Sequence, residues 1–188
     1  MRKLKITEME RLSVEEYKSS DKFPLIVVLD YVRSLYNVGS VFRTCDAFRI
    51  DELCLCGITA RPPHPEIHKT ALGAEDSVNW QYFENTEQCV QQLHDRGYKV
   101  FAIEQCEGST LLTEIENLEL KAQSSKIAVV FGNEVKGVQQ QVIDMCDGCL
   151  EIPQYGTKHS MNVSVTAGIV IWELFTRYRL RPGEQHVR

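Results

Sequence analysis

Apolar residues fall along the chain in two kinds of run. Pro24–Asp30 (PLIVVLD), Glu52–Cys56, Lys99–Glu104 and Lys126–Phe131, with a shorter run at Cys149–Ile152, are rich in Val, Ile and Leu and almost continuous in apolar character. Unbroken runs of this length are expected of parallel strands covered on both faces. Between them lie helix-period patterns at about 38–49, 86–96, 138–146 and 161–180. The alternation predicts an α/β domain, a mostly parallel sheet with helices on both faces. Residues 1–22 read as a helical extension, so the 188 residues are expected to form one domain.

In the helix at 38–49, Val38, Val41, Phe42, Cys45 and Phe48 make one apolar stripe at offsets 0, 3, 4, 7 and 10. Helical-wheel arithmetic puts Arg43 about 160° from the centre of that stripe. Arg43 is therefore free to face a substrate, although a capped helix with a solvent-facing arginine would look the same. Asp30 ends the preceding strand, and ligands of open α/β sheets bind outside the carboxyl ends of strands. Asn37 is a natural cap for the helix, and Gly39 and Ser40 would let a ligand approach the backbone closely.

Two further turns follow strand-like runs. Phe131-Gly132-Asn133-Glu134 leaves one strand, and a glycine there would admit a flat ring or sugar to the main chain. Ile152-Pro153-Gln154-Tyr155-Gly156 leaves the next, with a proline that fixes the turn and a glycine that permits an unusual backbone angle. Ser160 and Asn162 then stand where the last helix begins, again as capping types. Ordinary strand-to-helix turns remain an alternative for each. The commoner nucleotide cradles are excluded: no G-x-G occurs anywhere, and Gly132–Gly137 has phosphate-loop spacing but is followed by Val138 and Gln139 instead of Lys and Ser/Thr.

Composition changes this picture little. Apolar residues make up 43% and charged residues 25%, an ordinary globular balance. The net charge of −5 is mildly unfavourable for a nucleic-acid partner, but its distribution matters more than its sum. Residues 84–119 carry eight acidic and two basic side chains, whereas residues 176–188 carry Arg177, Arg179, Arg181 and Arg188 against one glutamate. An RNA face would use the termini and the motif loops, with Arg33, His159, Arg177 and Arg179 as candidates; solvated helix ends explain the arginines equally well. His64-Pro-Glu-Ile-His68 with Lys69 reads as a proline-rich loop that either touches RNA or is plain surface. Seven cysteines, mostly within apolar runs and including Cys146-Asp-Gly-Cys149, suit free structural thiols in a reducing cytoplasm better than a disulfide framework or a zinc site. No run approaches a membrane span, and no signal peptide opens the chain.

Taken together, Asn37-Val-Gly-Ser-Val-Phe-Arg-Thr44, Phe131-Gly-Asn-Glu134 and Ile152-Pro-Gln-Tyr-Gly156 running into Ser160-Met-Asn162 resemble the three motifs of the SPOUT methyltransferases, in their TrmH (SpoU) branch. The resemblance spans residues 24–175. It implies transfer of a methyl group from S-adenosylmethionine to a ribose 2′-hydroxyl of RNA, without a metal, on a fold whose C-terminal part makes a trefoil knot. It implies that Arg43, Asn37, Glu134, Ser160 and Asn162 serve catalysis. Phe131, Gly132, Asn133, Ile152, Pro153, Gln154, Gly156 and Met161 would hold the cofactor. Arg43 is either an unusual general base or an electrostatic and positioning group, since a guanidinium, with a pKa above about 12, scarcely releases its proton. The resemblance points to tRNA, at a D-loop guanosine, with ribosomal RNA or a non-catalytic RNA-binding module as alternatives. Val163–Phe175 is apolar at ten of thirteen positions, and a helix so apolar needs cover on more than one side. In the family that helix forms a dimer interface, so a homodimer is expected.

Overall fold

The computed structural model describes residues 1–5, 8–9, 11–117 and 126–179. A short helix α1 (Val14–Ser19) precedes strand β1 (Phe23–Asp30), helix α2 (Leu35–Ala47) and strand β2 (Ile50–Cys56). Helices α3 (Pro65–Ala71) and α4 (Ala74–Ser77) lead to β3 (Trp80–Phe83), α5 (Thr86–Asp95) and β4 (Lys99–Ile103). The two-residue β5 (Thr110–Leu111) is followed by a 3-10 turn at Leu112–Asn117. Then come β6 (Ile127–Phe131), α6 (Gln140–Ile143), β7 (Gly148–Glu151) and α7 (Val163–Arg179). The strands form one sheet in the order β3-β2-β1-β6-β4-β7-β5, and every pairing between neighbours is parallel.

Burial explains the unbroken apolar runs. In β1, Leu25, Val27 and Leu29 face one core with α2, α3 and α7, whereas Ile26 and Val28 face a second core with α5 and α6. Because all the strands run the same way, the turns after β1, β4, β6 and β7 emerge at one edge of the sheet. That edge is where open α/β sheets hold their ligands.

Several elements differ from the expected pattern. Helix α2 starts at Leu35, one turn early, because Ser34 caps it by accepting from the Asn37 amide N–H at 3.3 Å. The stretch read as a proline-rich loop folds into α3, with His64 as cap, its Nδ1 accepting from Glu66 N–H at 3.1 Å, and Pro65 at the first helical position. Strand β3 was not expected; only Phe83 of its four residues is buried at the sheet edge, and they lack a continuous apolar run. Helix α6 is a single turn rather than the nine residues 138–146. Among its described residues the N-terminal extension is α-helical only at α1, where the buried Tyr17 hydroxyl reaches the Cys45 carbonyl at 3.4 Å.

Gly39 has a different role from the one its surroundings in the sequence suggest. A Cβ at this position would lie 2.1 Å from Thr70 Oγ1 and 2.3 Å from the Ile67 carbonyl oxygen. The missing side chain thus lets α3 close onto α2, not a ligand onto the backbone. Gly39→Ala should push α3 outward and cost about 1–3 kcal/mol, as overpacking does. At about 2–4 °C per kcal/mol for a chain of this size, the melting temperature should drop by several degrees. An unchanged melting curve would show that α3 yields freely.

Candidate active site

The three sequence blocks meet. Glu134, in the turn after β6, accepts from the backbone N–H groups of Arg33 and Ser34, each at 3.1 Å, and from Asn37 Nδ2 at 2.9 Å. Asn37 is buried within the first turn of α2, and its Oδ1 accepts from Asn162 Nδ2 at 3.1 Å. Asn162 Oδ1 in turn caps α7, accepting from Ser164 N–H at 2.9 Å and Ser164 Oγ at 2.7 Å. One line of side chains therefore ties the turn after β1, the turn after β6 and the start of α7. Asn37 acts as the middle link of this line and not as the expected helix cap.

Glu134 is held as a carboxylate. Burial works to raise its pKa, but the donors from Arg33, Asn37 and Ser34 outweigh it and the net shift is downward. A carboxylate so satisfied is a poor proton acceptor and a good clasp. Its folded pKa lies below the ordinary glutamate value, so its stabilisation is complete above that value, and it is lost as pH falls through the lower, folded one. Thermal melts between about pH 3 and 7 should therefore show wild-type stability falling at the acid end more steeply than that of Glu134→Gln. Parallel curves for the two proteins would remove Glu134 from the acid transition.

Beside this line opens a cleft of about 1020 Å³, enough for a nucleoside-sized ligand. Phe131, Gly132, Asn133, Glu134, Ile152, Gln154, His159, Ser160, Met161 and Asn162 all line it. Apolar cover comes from Ile103, Val138, Ile143 and Leu150, while Glu104, Glu107 and Glu151 add carboxylates against the single ammonium of Lys136. An apolar slot with an acidic rim fits adenine together with a cationic sulfonium and ammonium, the parts S-adenosylmethionine presents. Glu104, not anticipated from sequence, is fixed at the end of β4 by Gln105 N–H at 2.9 Å and Val138 N–H at 3.0 Å. Its signal in the sequence was only its place at a strand's carboxyl end.

Glycine acts differently here than expected. A Cβ at Gly132 would come within 1.9 Å of Gly137 C and 2.0 Å of Val138 N, so the turn's own closure fills that space. The closure is visible as a bridge between Asn133 and Gly137, with Gly137 at φ +68. A side chain at Gly156 would meet nothing within 4 Å, and its φ is not positive, so its backbone does not require glycine. Neither Pro153 nor Gly156 lines the cleft.

Arg43 stands apart. Its side chain is exposed, as the helical phase required, and it lines a separate opening of about 400 Å³ with Ser40, Thr44, Ala47, Phe48, Lys69 and Thr70. The two sets of lining residues share no member. Among the remaining candidates, Arg33 is exposed next to Glu134, and the His159 carbonyl accepts from Gln105 Nε2 at 3.1 Å. Arg177 makes an ion pair with Glu173 and donates to the Thr113 carbonyl at 3.3 Å. The side chain of Arg179, like Arg181 and Arg188, lies outside the described residues. Cys149 has its closest thiol partner in Cys106, at 2.9 Å between sulfurs, and not in Cys146. No cluster of three or more metal-ligating side chains occurs among the described residues, and no helix among them is long and apolar enough to cross a membrane.

Comparison with known proteins identifies the family and the fold. The model of the SpoU rRNA Methylase family matches residues 24–172. A tRNA (guanosine(18)-2′-O)-methyltransferase of Thermus thermophilus is 29% identical over 177 residues, covering 94% of this chain and 87% of that protein. The crystal structure of the A. aeolicus TrmH/SpoU tRNA modifying enzyme superposes with a TM-score of 0.75 at 25% identity, over 92% of this chain and 87% of that one. The AdoMet-bound rRNA methyltransferase of Sinorhizobium meliloti superposes with a TM-score of 0.74 at 25% identity, over 92% of this chain and 63% of that one.

Proposed function

The chain belongs to the SpoU rRNA Methylase family, and from that membership we propose that it methylates a ribose 2′-hydroxyl of tRNA, at a D-loop guanosine, using S-adenosylmethionine. The observation that carries the proposal is the Asn162–Asn37–Glu134 line, which joins all three motif blocks at the rim of a cleft sized for the cofactor. The Thermus thermophilus relative, named for guanosine 18 of tRNA, supports the choice of RNA.

When bound, S-adenosylmethionine supplies a methyl group already activated by its sulfonium charge. The protein's part is to hold a hydroxyl and that methyl in line and to stabilise the charge that develops on oxygen. The Glu134 clasp fixes the turn leading into α2, and Asn37 and Asn162 fix the start of α7 against it. The carboxylates of the cleft favour a cationic ligand over a neutral one. Arg43 brings an exposed guanidinium with no carboxylate partner among the described residues, suited to an alkoxide or an RNA phosphate.

Arg43 and the cofactor cleft belong to separate openings of one subunit, which supports a homodimer in which each Arg43 serves the partner's cofactor. Val165 (53% exposed), Ile169 (39%) and Trp172 (52%) make an apolar stripe along α7. Trp172 also packs on Phe48, whose ring lines the Arg43 opening, at 5.8 Å between centroids. The stripe that would bury a second copy therefore borders the arginine. A trefoil-knotted C-terminal region, a single domain and a cytoplasmic location complete the reading, by analogy with the family.

The test is transfer of tritiated methyl from labelled cofactor to bulk tRNA and to ribosomal RNA, followed by mapping of the modified nucleotide. Label should enter tRNA at a 2′-hydroxyl in the D-loop. Label confined to ribosomal RNA would overturn the substrate. Cofactor binding with no transfer to either would identify a binding module.

A further inference from the structure

The opening between α2 and α3 holds more than Arg43. Close packing at Gly39 brings the last turn of α3 against the outward face of α2, so Lys69 and Thr70 stand across from Ser40, Arg43 and Thr44. Two cations thus share one opening, floored by Ala47 and Phe48. Arg43 has no ion pair among the described residues. Lys69 is 58% exposed and pairs at 2.5 Å with Glu66, a neighbour one turn back on the same helix. An exposed i,i+3 pair of this kind contributes little to stability and exchanges readily for a stronger anion.

The hydroxyls around the cations have a definite polarity. Ser40 Oγ donates to the Tyr36 carbonyl at 2.8 Å, Thr44 Oγ1 to the Ser40 carbonyl at 3.1 Å and Thr70 Oγ1 to the Tyr36 carbonyl at 3.0 Å. Each proton is committed to the backbone, so the oxygens offer lone pairs only. Three acceptors would repel a bare phosphate but suit a donor beside one. RNA carries such a pair at every nucleotide: a phosphate and, one sugar away, a 2′-hydroxyl that donates.

We propose that the α2–α3 opening is a ribose-phosphate subsite for the RNA substrate. In it Lys69, released from Glu66, joins Arg43 on one phosphate while one of the Ser40, Thr44 and Thr70 hydroxyl oxygens accepts the single proton of an adjacent ribose 2′-hydroxyl. The inference rests on the RNA methyltransferase reading above and adds to it a grip that no motif block contains. Lys69 is a binding and positioning residue here, and Glu66 is its resting counter-ion.

Equilibrium binding of a D-arm RNA oligonucleotide and of its 2′-deoxy counterpart, measured across salt concentrations without cofactor, tests the subsite. Loss of one phosphate contact lowers the slope of log affinity against log salt by about 0.7–0.9. Lys69→Gln should show that drop, with affinity for the RNA reduced about threefold to tenfold at about 0.1 M salt. Lys69→Arg should retain the wild-type slope, and Glu66→Gln, which frees the lysine, should bind RNA more tightly than wild type. The wild type should prefer RNA over the 2′-deoxy strand. Lys69→Gln with unchanged slope and affinity, or Glu66→Gln with weaker binding, would overturn the role of Lys69. Equal binding of the two strands would overturn the ribose contact. A wild type with no affinity for either strand would instead count against the RNA reading itself, which separates the two failures.

Discussion

Arg43→Ala should lower methyl transfer by at least about 10³-fold, whether Arg43 acts on the proton or on the developing charge. Cofactor affinity should stay within about twofold of wild type, because the residue is absent from the cofactor cleft. The fold has no reason to change either: Arg43 is exposed, and its helix is held by Val38, Val41, Phe42 and Cys45 on the opposite face. Isothermal titration with S-adenosylmethionine and a methyl-transfer assay on the same folded preparation give both numbers. A variant that loses cofactor binding while still folded would remove Arg43 from the catalytic role. Arg43→Lys separates the two chemical roles in part. A lysine preserves charge but not the bidentate fork, so substantial retained activity would favour simple electrostatics over geometry-dependent contact.

A second large effect is expected from mixing two inactive proteins. Gly132→Asp forces a side chain into the backbone of Gly137 and Val138 and should abolish cofactor binding in its own subunit. Neither that variant nor Arg43→Ala should be active alone. If each Arg43 serves the partner's cofactor, a co-refolded equimolar mixture regains one working site in each mixed dimer, roughly a quarter of wild-type activity. If Arg43 serves its own subunit, the mixture stays inactive, because neither chain carries both functions. Sedimentation should show a species of twice 21.5 kDa for wild type. Trp172→Glu, which charges the apolar stripe of α7, should shift it toward monomer and remove the recovered activity. A monomeric wild type at micromolar concentration would contradict the shared site.

Much of the scaffold was legible along the chain. Each expected strand is present, since strands buried on both faces leave a nearly unbroken run of Val, Ile and Leu that no exposed element shares. The open face of α2 was legible for the same reason, as one apolar stripe settles where the other side points. Elements lacking such a signature were not legible. Strand β3 sits at the sheet edge and is half-exposed, and α3 is seven residues long with a proline at its start.

Residue types were read more reliably than their reasons. Gly39 and Gly132 looked like places for a ligand to approach, yet each is occupied by the protein's own backbone or side chains, α3 in one case and a closed turn in the other. Asn37 looked like a helix cap and is instead the link between Glu134 and Asn162, partners 97 and 125 residues away. Local spacing cannot report a contact of that range, because nothing near Asn37 in the chain reflects it.

The order of strands and turns, the side of α2 on which Arg43 stands and the chemical types around the site were determined by the sequence itself, since each follows from local periodicity and side-chain identity. The meeting of three turns at one sheet edge, the clasp that keeps Glu134 ionised, the separation of Arg43 from the cofactor cleft and its place with Lys69 around the α2–α3 opening were decided only by the tertiary structure. They depend on distances between residues far apart in the chain, which parallel strand pairing and helix packing set and which no local pattern encodes.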